Sequence, residues 1–541
     1  MSVIKNLMGF RNKRGLSDLL VVIGVTILST LLMLYQLDKK SLWVDELFTV
    51  TNSQSGTFDI IIGIMRGDPH PPLQYLALHY FTQLTGNHGV FNSRLLFVLF
   101  GILSVIAFYP MIRYVLTREA ALISLVLFGI TPFLIMYSRM ARYYSLVLFL
   151  SIVSFYFFFR IISHGKEQRM TDQILFILVS TLLLYTYIPA VAVIAAQICV
   201  LIYKQWEEHP DSFCRLIVST CKSWKLLIYS FVIVLLFFSV WITGMYFLHT
   251  STTYGSLQVL NSFSQFIARF FVPFYVYSIG ATVYPWTWYG LTGLVVCLGL
   301  FLYSIYHFYK RKDYTLLILF IVPLVIVNCI LQVFNTSFID IPQRGIFMLP
   351  FFIAIIGYAI SKIKINLFKI LIILIIILVS GISLSNYYDN AEFIDPMYIV
   401  PAKEIVSDLQ ASTTPSDVII TQGSTSIGYY WTRGMNYSPT IPIYTIIQDT
   451  PDILEKINAA SMQEGNGNST RYILLIENTD THGEFTKEWS LVINSLVSHG
   501  YSQKVQVNYV PTDPTYRKMK EFVLKRLTFE YRFEEKIFSK T

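Results

Sequence analysis

Hydrophobic positions in this chain come in long unbroken runs, near 19–37, 91–112, 119–136, 143–161, 172–188, 189–203, 225–243, 287–308, 314–333, 345–361 and 366–385. Each run is about the length that crosses a bilayer as an α-helix, so the pattern predicts about eleven membrane spans. Pro189 marks the division between the fifth run and the sixth, and 172–203 reads either as two spans or as one long helix kinked there; the lysine bias of the later loops favours two. From Asn386 the character changes. Pro401, Pro415, Pro439 and Gly465 punctuate alternating segments; 417–421 and 472–476 read as short buried strands, 398–410, 450–461 and 483–498 as helices, and Leu527, Phe529, Tyr531 and Phe533 as a half-buried strand. The prediction is a multi-pass α-helical membrane domain over 1–385 followed by a small soluble α/β domain over 386–541.

Charge orients these spans. Arg113 and Arg118, then Arg160, Lys166 and Arg169, then Lys204, Lys222 and Lys225, then Lys310, Arg311 and Lys312, then Lys362 and Lys364 fall in alternate connections. This positive-inside pattern predicts a cytoplasmic N-terminus, and an odd number of spans then puts the C-terminal domain on the other side. Lys5, Arg11, Lys13 and Arg14 precede the first run with no small-residue cleavage site, which reads as a retained anchor. The external connections are then 38–90, 137–142, 244–286 and 334–344. Within the first, 73–84 reads as an interfacial helix behind two prolines. The third carries Phe270, Phe271, Phe274, Tyr275 and Trp286, either interfacial anchors or a lid over an apolar chain.

Composition agrees. Of 541 residues, 54% are hydrophobic and 14% charged, where a soluble protein has about one quarter charged. The net charge of +8 is read against topology, since no basic run long enough for nucleic acid appears. Of five cysteines, none lies after residue 386, so the C-terminal domain rests on its own core; Cys214 and Cys221 read as ordinary thiols. Asn335, Asn436 and Asn468 begin glycosylation sequons.

Ionisable groups near hydrocarbon are costly unless paired or used, so they mark candidate chemistry. Asp45 and Glu46, in Trp43-Val44-Asp45-Glu46-Leu47-Phe48, sit just outside the first span, where a partly buried carboxylate can serve as a general base; helix capping is the plainer role. In Gly67-Asp68-Pro69-His70-Pro71-Pro72-Leu73, prolines aim one imidazole and one carboxylate from a rigid loop, or simply start a helix. Glu46, Asp68 and His70 are the residues a divalent metal would use, though that set is thin. Arg139 and Arg142, in Tyr137-Ser138-Arg139-Met140-Ala141-Arg142-Tyr143-Tyr144, lie on the external side against the charge rule. At a spacing of three they would share one helix face and suit a phosphate; snorkelling to headgroups is the alternative. Arg344 and Arg94 add cations at the outer ends of the tenth and second spans.

In this order these pieces resemble the GT-C superfamily of integral membrane glycosyltransferases, most closely the branch of protein O-mannosyltransferases and lipid A aminoarabinose transferases (glycosyltransferase family 39-like). The resemblance rests on Asp45-Glu46, His70-Pro71-Pro72-Leu73, Ser93-Arg94-Leu95, Ser138 to Tyr144, and Arg344 ahead of Leu349-Pro350. It implies inverting transfer of a sugar from a polyprenyl-phosphate donor to an extracytoplasmic glycolipid, glycan or protein. Asp45 would be the base; Glu46, His70, Arg139, Arg142, Tyr143 and Arg344 would bind substrate, the arginines at the departing phosphate. By the same analogy the setting is a bacterial or archaeal plasma membrane. The eukaryotic protein O-mannosyltransferases carry a soluble module inside a loop, and here the soluble part is C-terminal. A transporter or flippase, or an idle binder of lipid-linked sugars, is the competing reading; ionisable residues gathered at one membrane face favour surface chemistry over alternating access.

Overall fold

The computed structural model describes residues 13–68, 70–164, 169–208, 224–248, 263–333, 342–391, 401–414, 417–421, 425–431, 443–446, 451–457, 471–478, 486–510 and 532–540. The chain divides into two compact units, Met1–Leu37 with Thr49–Phe393, and Asp38–Phe48 with Ile394–Thr541.

The first unit is helical because a backbone in lipid must satisfy its own polar groups. Its helices are α1 (Lys13–Leu34), α2 (Val44–Asn52, whose first turn belongs to the second unit), α3 (Thr57–Gly67), α4 (Leu73–Thr85), α5 (Val90–Ile112), α6 (Arg118–Ile130), α7 (Pro132–Ser138), α8 (Tyr144–His164), α9 (Met170–Leu184), α10 (Val191–Glu208), α11 (Lys225–Leu248), α12 (Phe263–Ile279), α13 (Trp288–Arg311), α14 (Thr315–Val333), α15 (Leu349–Lys362) and α16 (Asn366–Asp389). Only 28% of the most apolar stretch of α1 or α13 is buried, and the outward residues are themselves apolar, among them Leu20, Leu31, Leu291 and Val295. Such a surface needs lipid as solvent, and the chain is a multi-pass integral membrane protein. By contrast α8 is 72% buried and the segment through α15 is 89% buried, so these form the centre.

Among the described residues eight helices are long and apolar enough to cross a membrane, or nine if α6 and α7 are one bent span. Length alone therefore does not support the predicted eleven. The predicted spans 172–188 and 314–333 fall on α9 and α14, whose apolar stretches are shorter. The stretch 172–203 is two helices, parted at 185–187 before the 3-10 turn Ile188–Ala190. Part of the predicted connection 244–286 is helical, as α12. There Phe271 is exposed while Phe274 meets Phe301 and Phe352 edge-on at 5.5 and 5.3 Å, so the aromatic set is divided between surface and core.

Two glycines permit the approaches that build the centre. A Cβ on Gly129 would stand 2.3 Å from Val25, and the Ser29 hydroxyl donates to the Gly129 carbonyl at 2.7 Å, so α1 and α6 nearly touch. A Cβ on Gly101 would stand 2.5 Å from the Ser138 hydroxyl, which lets the end of α7 press onto α5.

The second unit is α/β. Its five strands are β1 (Val418–Thr421), β2 (Ile443–Thr445), β3 (Tyr472–Asn478), β4 (Tyr501–Val510) and β5 (Arg532–Lys540), in the order β2-β1-β3-β5-β4. β1 runs parallel to β2 and β3, and β5 antiparallel to β3 and β4. Ile420, Leu474, Trp489, Val492 and Leu496 pack its core. The segments predicted at 417–421, 472–476 and 483–498 match β1, β3 and the helix Thr486–Ser498. Leu527, Phe529, Tyr531, Cys214, Cys221 and the three sequon asparagines lie outside the described residues.

Candidate active site

The predicted arginine pair is delivered by a broken helix. Pro132 opens α7 and forces Thr131 into extended backbone, so α6 and α7 meet at 50°. Helix α7 ends at Ser138, and residues 139–143 form a turn. Arg139 and Arg142 therefore do not share a helix face, as their spacing predicted, and their side chains have different partners.

Arg139, 3% exposed, points to the C-terminal end of α1. Its Nη1 donates to the carbonyls of Leu32 and Tyr35 at 3.1 and 2.5 Å, and its Nη2 to that of Gln36 at 3.0 Å. Arg94 Nη1 donates to the Leu37 carbonyl at 2.9 Å. The last carbonyls of a helix lack intrahelical partners and carry the negative end of its dipole, so two guanidiniums cap the first span. The rings of Tyr387 and Tyr388 lie 5.3 and 4.9 Å from the Arg139 guanidinium carbon. Arg139→Ala is expected to lower stability by about 3 kcal/mol, because buried hydrogen bonds from a charged group are lost. Thermal unfolding in detergent measures it.

Arg142, 4% exposed, joins a polar network. Its Nη1 donates to the Thr49 hydroxyl at 3.0 Å and the Tyr75 hydroxyl at 3.2 Å. The Tyr75 hydroxyl donates to Asp68 Oδ2 at 2.5 Å, while Asp68 Oδ1 accepts from His70 Nδ1 at 2.6 Å and from the His70 backbone N–H at 2.7 Å. The prolines explain His70: Pro71 and Pro72 start α4, whose first residue, Leu73, donates its N–H to the Tyr185 carbonyl at 3.2 Å. With Nδ1 turned to a carboxylate, Nε2 is the ring nitrogen left to meet a ligand.

Electrostatics reinforce this set. Burial would raise the Asp68 carboxyl, but the charge and hydrogen bond of His70, then Arg142 and Tyr75, outweigh it and hold Asp68 well below the usual carboxylate range. Burial, with Asp68 adding to it, pushes the Tyr75 phenol well above its ordinary value, so Tyr75 stays a donor. Because folded Asp68 titrates below its unfolded value of 3.8, its stabilisation is fully present above that pH and lost as pH falls below it. The melting-temperature advantage of wild type over Asp68→Asn should be constant near neutrality and shrink below about pH 3.8.

An aromatic wall stands beside the network. Tyr143 stacks on Tyr187 with centroids 4.7 Å apart and lies 4.9 Å from the His70 ring, and the Arg142 guanidinium carbon is 5.5 Å from the Tyr143 centroid. Arg344, half-buried, belongs to the 3-10 segment Pro342–Met348. Its neighbour Gln343 accepts from Tyr137 at 3.2 Å and donates to the Tyr144 hydroxyl at 3.3 Å, which ties that segment to both ends of the Arg142 turn. Thr49, Tyr75 and Tyr187 were not among the predicted site residues. Tyr75 and Tyr187 each lie within three residues of a proline that breaks an apolar run, and that was their one signal.

Asp45 and Glu46 lie in the segment Asp38–Phe48, in the second unit. They occupy the first turn of α2, where the helix dipole favours negative charge. Glu46 is fully buried and accepts from the Trp43 backbone N–H at 3.4 Å, a capping role, whereas Asp45 is half-buried. For a metal, no group of three His, Cys, Asp or Glu side chains among the described residues stands close enough to bind one. The Asp68 carboxylate is instead paired with His70.

The profile of dolichyl-phosphate-mannose-protein mannosyltransferases matches residues 69–243, which hold His70, Tyr75, Arg139, Arg142 and Tyr187. No curated protein sequence matches the chain. Among solved structures, ArnT from Cupriavidus metallidurans in the apo state is 11% identical, with 97% of this chain and 98% of that one covered at a TM-score of 0.54. The archaeal oligosaccharyltransferase AglB from Archaeoglobus fulgidus is 11% identical over 92% of this chain and 73% of that one, TM-score 0.48. The S. cerevisiae protein O-mannosyltransferase Pmt1-Pmt2 structure is 19% identical, and the match spans 44% of this chain and only 36% of that one, TM-score 0.35. The mannosyltransferase match is confined to residues 69–243, and the end-to-end likeness to ArnT is one of fold.

Proposed function

We propose that this protein is an inverting glycosyltransferase that moves a sugar from a polyprenyl-phosphate donor to an extracytoplasmic acceptor, a glycolipid, a cell-envelope glycan or a protein. The observation that carries the reading is the buried network of Arg142, Tyr75, Asp68 and His70 behind a wall of Tyr143 and Tyr187. It presents fixed donors and one cation, which suits a sugar phosphate.

In this reading Asp45 is the general base. It takes the acceptor hydroxyl proton as that oxygen attacks the anomeric carbon; the bond to the phosphate oxygen breaks and its electron pair stays on the polyprenyl phosphate. A phosphate leaving group needs cations and no acid, and Arg142 with Arg344 supplies them. His70, its imidazole fixed by Asp68, offers Nε2 to a sugar hydroxyl, and Tyr143 provides an apolar face for the ring. Glu46 sets the first turn of α2. With three of its N–H groups on carbonyls, Arg139 holds the first span in place of the phosphate. The N-terminus is cytoplasmic, and Asp45, Arg142 and the C-terminal unit lie on the opposite side of the plasma membrane.

Purified protein given a panel of radiolabelled polyprenyl-phosphate sugars and a membrane extract tests the reading. Label should appear in a new acceptor for at least one donor. If the folded protein binds these donors yet transfers none to any acceptor fraction, the transport or binding reading takes its place.

A further inference from the structure

The segment that carries Asp45 is short, and three of its hydrogen bonds run to residues far along the chain. Ser41, Leu42 and Trp43 are buried, and within the second unit Ser41 and Leu42 meet two residues of the C-terminal part, Lys403 and Tyr430. The Leu42 backbone N–H donates to the Tyr430 hydroxyl at 2.8 Å. The Lys403 backbone N–H donates to the Ser41 hydroxyl at 3.0 Å, and the Lys403 ammonium donates to the Asp38 carbonyl. That ammonium also sits 5.8 Å from the centroid of the Tyr430 ring, so the two clamping residues support each other. Tyr430 is 1% exposed and the adjacent Trp431 fully buried, so the hydroxyl aimed at Leu42 is itself held rigidly.

Each of these contacts falls just ahead of α2. Leu42 and Trp43 immediately precede the helix, and the Trp43 N–H bonds to Glu46, so a bond at Leu42 fixes the backbone that enters the turn bearing Asp45. A buried N–H that loses its acceptor is costly, and a base displaced by about 1 Å can lose about a hundredfold in rate. Lys403 and Tyr430 both act on the backbone and the Ser41 hydroxyl ahead of α2.

We propose that the C-terminal unit is a positioning element of the reaction, in which Tyr430 and Lys403 clamp residues 38–43 and thereby aim Asp45. The inference rests on the functional reading above for the role of Asp45; the clamp itself does not. The soluble unit thus contributes to the rate whatever else it binds, and the segment and its clamp act as one piece although 388 positions separate Leu42 from Tyr430.

Two readouts on Tyr430→Phe and Ser41→Ala separate the clamp from the chemistry. Hydrogen–deuterium exchange of full-length protein in detergent reports the clamp without any substrate. Amides of the 41–47 peptide should exchange about tenfold faster in Tyr430→Phe while the strands of the second unit keep their protection. In the transfer assay kcat should fall about tenfold or more with the KM for the lipid donor unchanged. Unchanged exchange at 41–47 in both variants overturns the clamp, and faster exchange with wild-type kcat overturns its positioning role. Proportional loss of activity and folded protein in both variants overturns it too, as a purely structural effect. If wild type transfers no sugar while the exchange result holds, the functional reading fails and the positioning proposal with it, but the clamp stands.

Discussion

Asp45→Asn should lower transfer by about 10²- to 10⁴-fold while leaving donor affinity close to that of wild type. Asparagine keeps the size of the side chain and its place in the first turn of α2, so the fold has little to lose; removing one negative charge from a helix N-terminus costs about 0.3–1 kcal/mol. What is lost is the only function asparagine cannot supply, acceptance of the acceptor's proton as the new bond forms, and general bases contribute about that range of rate. A fall in kcat with unchanged KM marks an interaction made in the transition state, and radiolabel transfer at saturating donor measures it. Glu46→Gln should behave differently. Its carboxylate is fully buried and caps the helix through the Trp43 N–H, so that variant should lose stability before it loses chemistry.

Arg142→Ala is expected to reduce kcat by about 10²- to 10³-fold, the loss typical when one preorganised group that stabilises developing charge is removed. Here the arginine is locked before substrate arrives: one nitrogen bonds both Thr49 and Tyr75, and the guanidinium lies over the Tyr143 ring. Arg142→Lys should recover only part of the rate, since a single ammonium on a flexible stem does not reproduce a planar fork held on two hydroxyls. Arg142→Ala also removes a cation that helps keep Asp68 ionised, so that variant should be less stable as well, and more so toward neutral pH than in acid. Transfer rate and melting temperature, measured together on purified protein, separate the two losses.

The contrast between the two arginines shows how far the sequence could be read. Both stood out because they broke the charge rule, and only one lies in the polar network. A three-residue spacing places side chains together on a helix, but Pro132 ends α6 early and α7 stops at Ser138, so the pair falls in a turn where spacing carries no such meaning. Arg139's partners are carbonyls about a hundred positions earlier in the chain, at the end of α1, and nothing local announces them. His70 fared better because two prolines and a nearby carboxylate constrain its backbone directly.

Long apolar runs were legible for a simple reason: a backbone in lipid has few alternatives to the helix. A run shows neither the 50° bend at Thr131 nor the shorter apolar stretches of α9 and α14, so length alone does not give the number of spans. In the second unit, strands such as β1 and β3 could be read from short β-branched and aromatic clusters between turn residues. The bond from Leu42 to Tyr430 could not, as tertiary pairing over so long a separation leaves no periodic trace.

Stoichiometry in sealed vesicles tests the central claim most directly. Purified protein is reconstituted with labelled polyprenyl-phosphate sugar and an acceptor fraction, and free polyprenyl phosphate and glycosylated acceptor are counted together. The account expects the two to appear one for one with wild type and to be nearly absent with Asp45→Asn. Intact donor reaching the opposite leaflet, with no polyprenyl phosphate released and no dependence on Asp45, would contradict it.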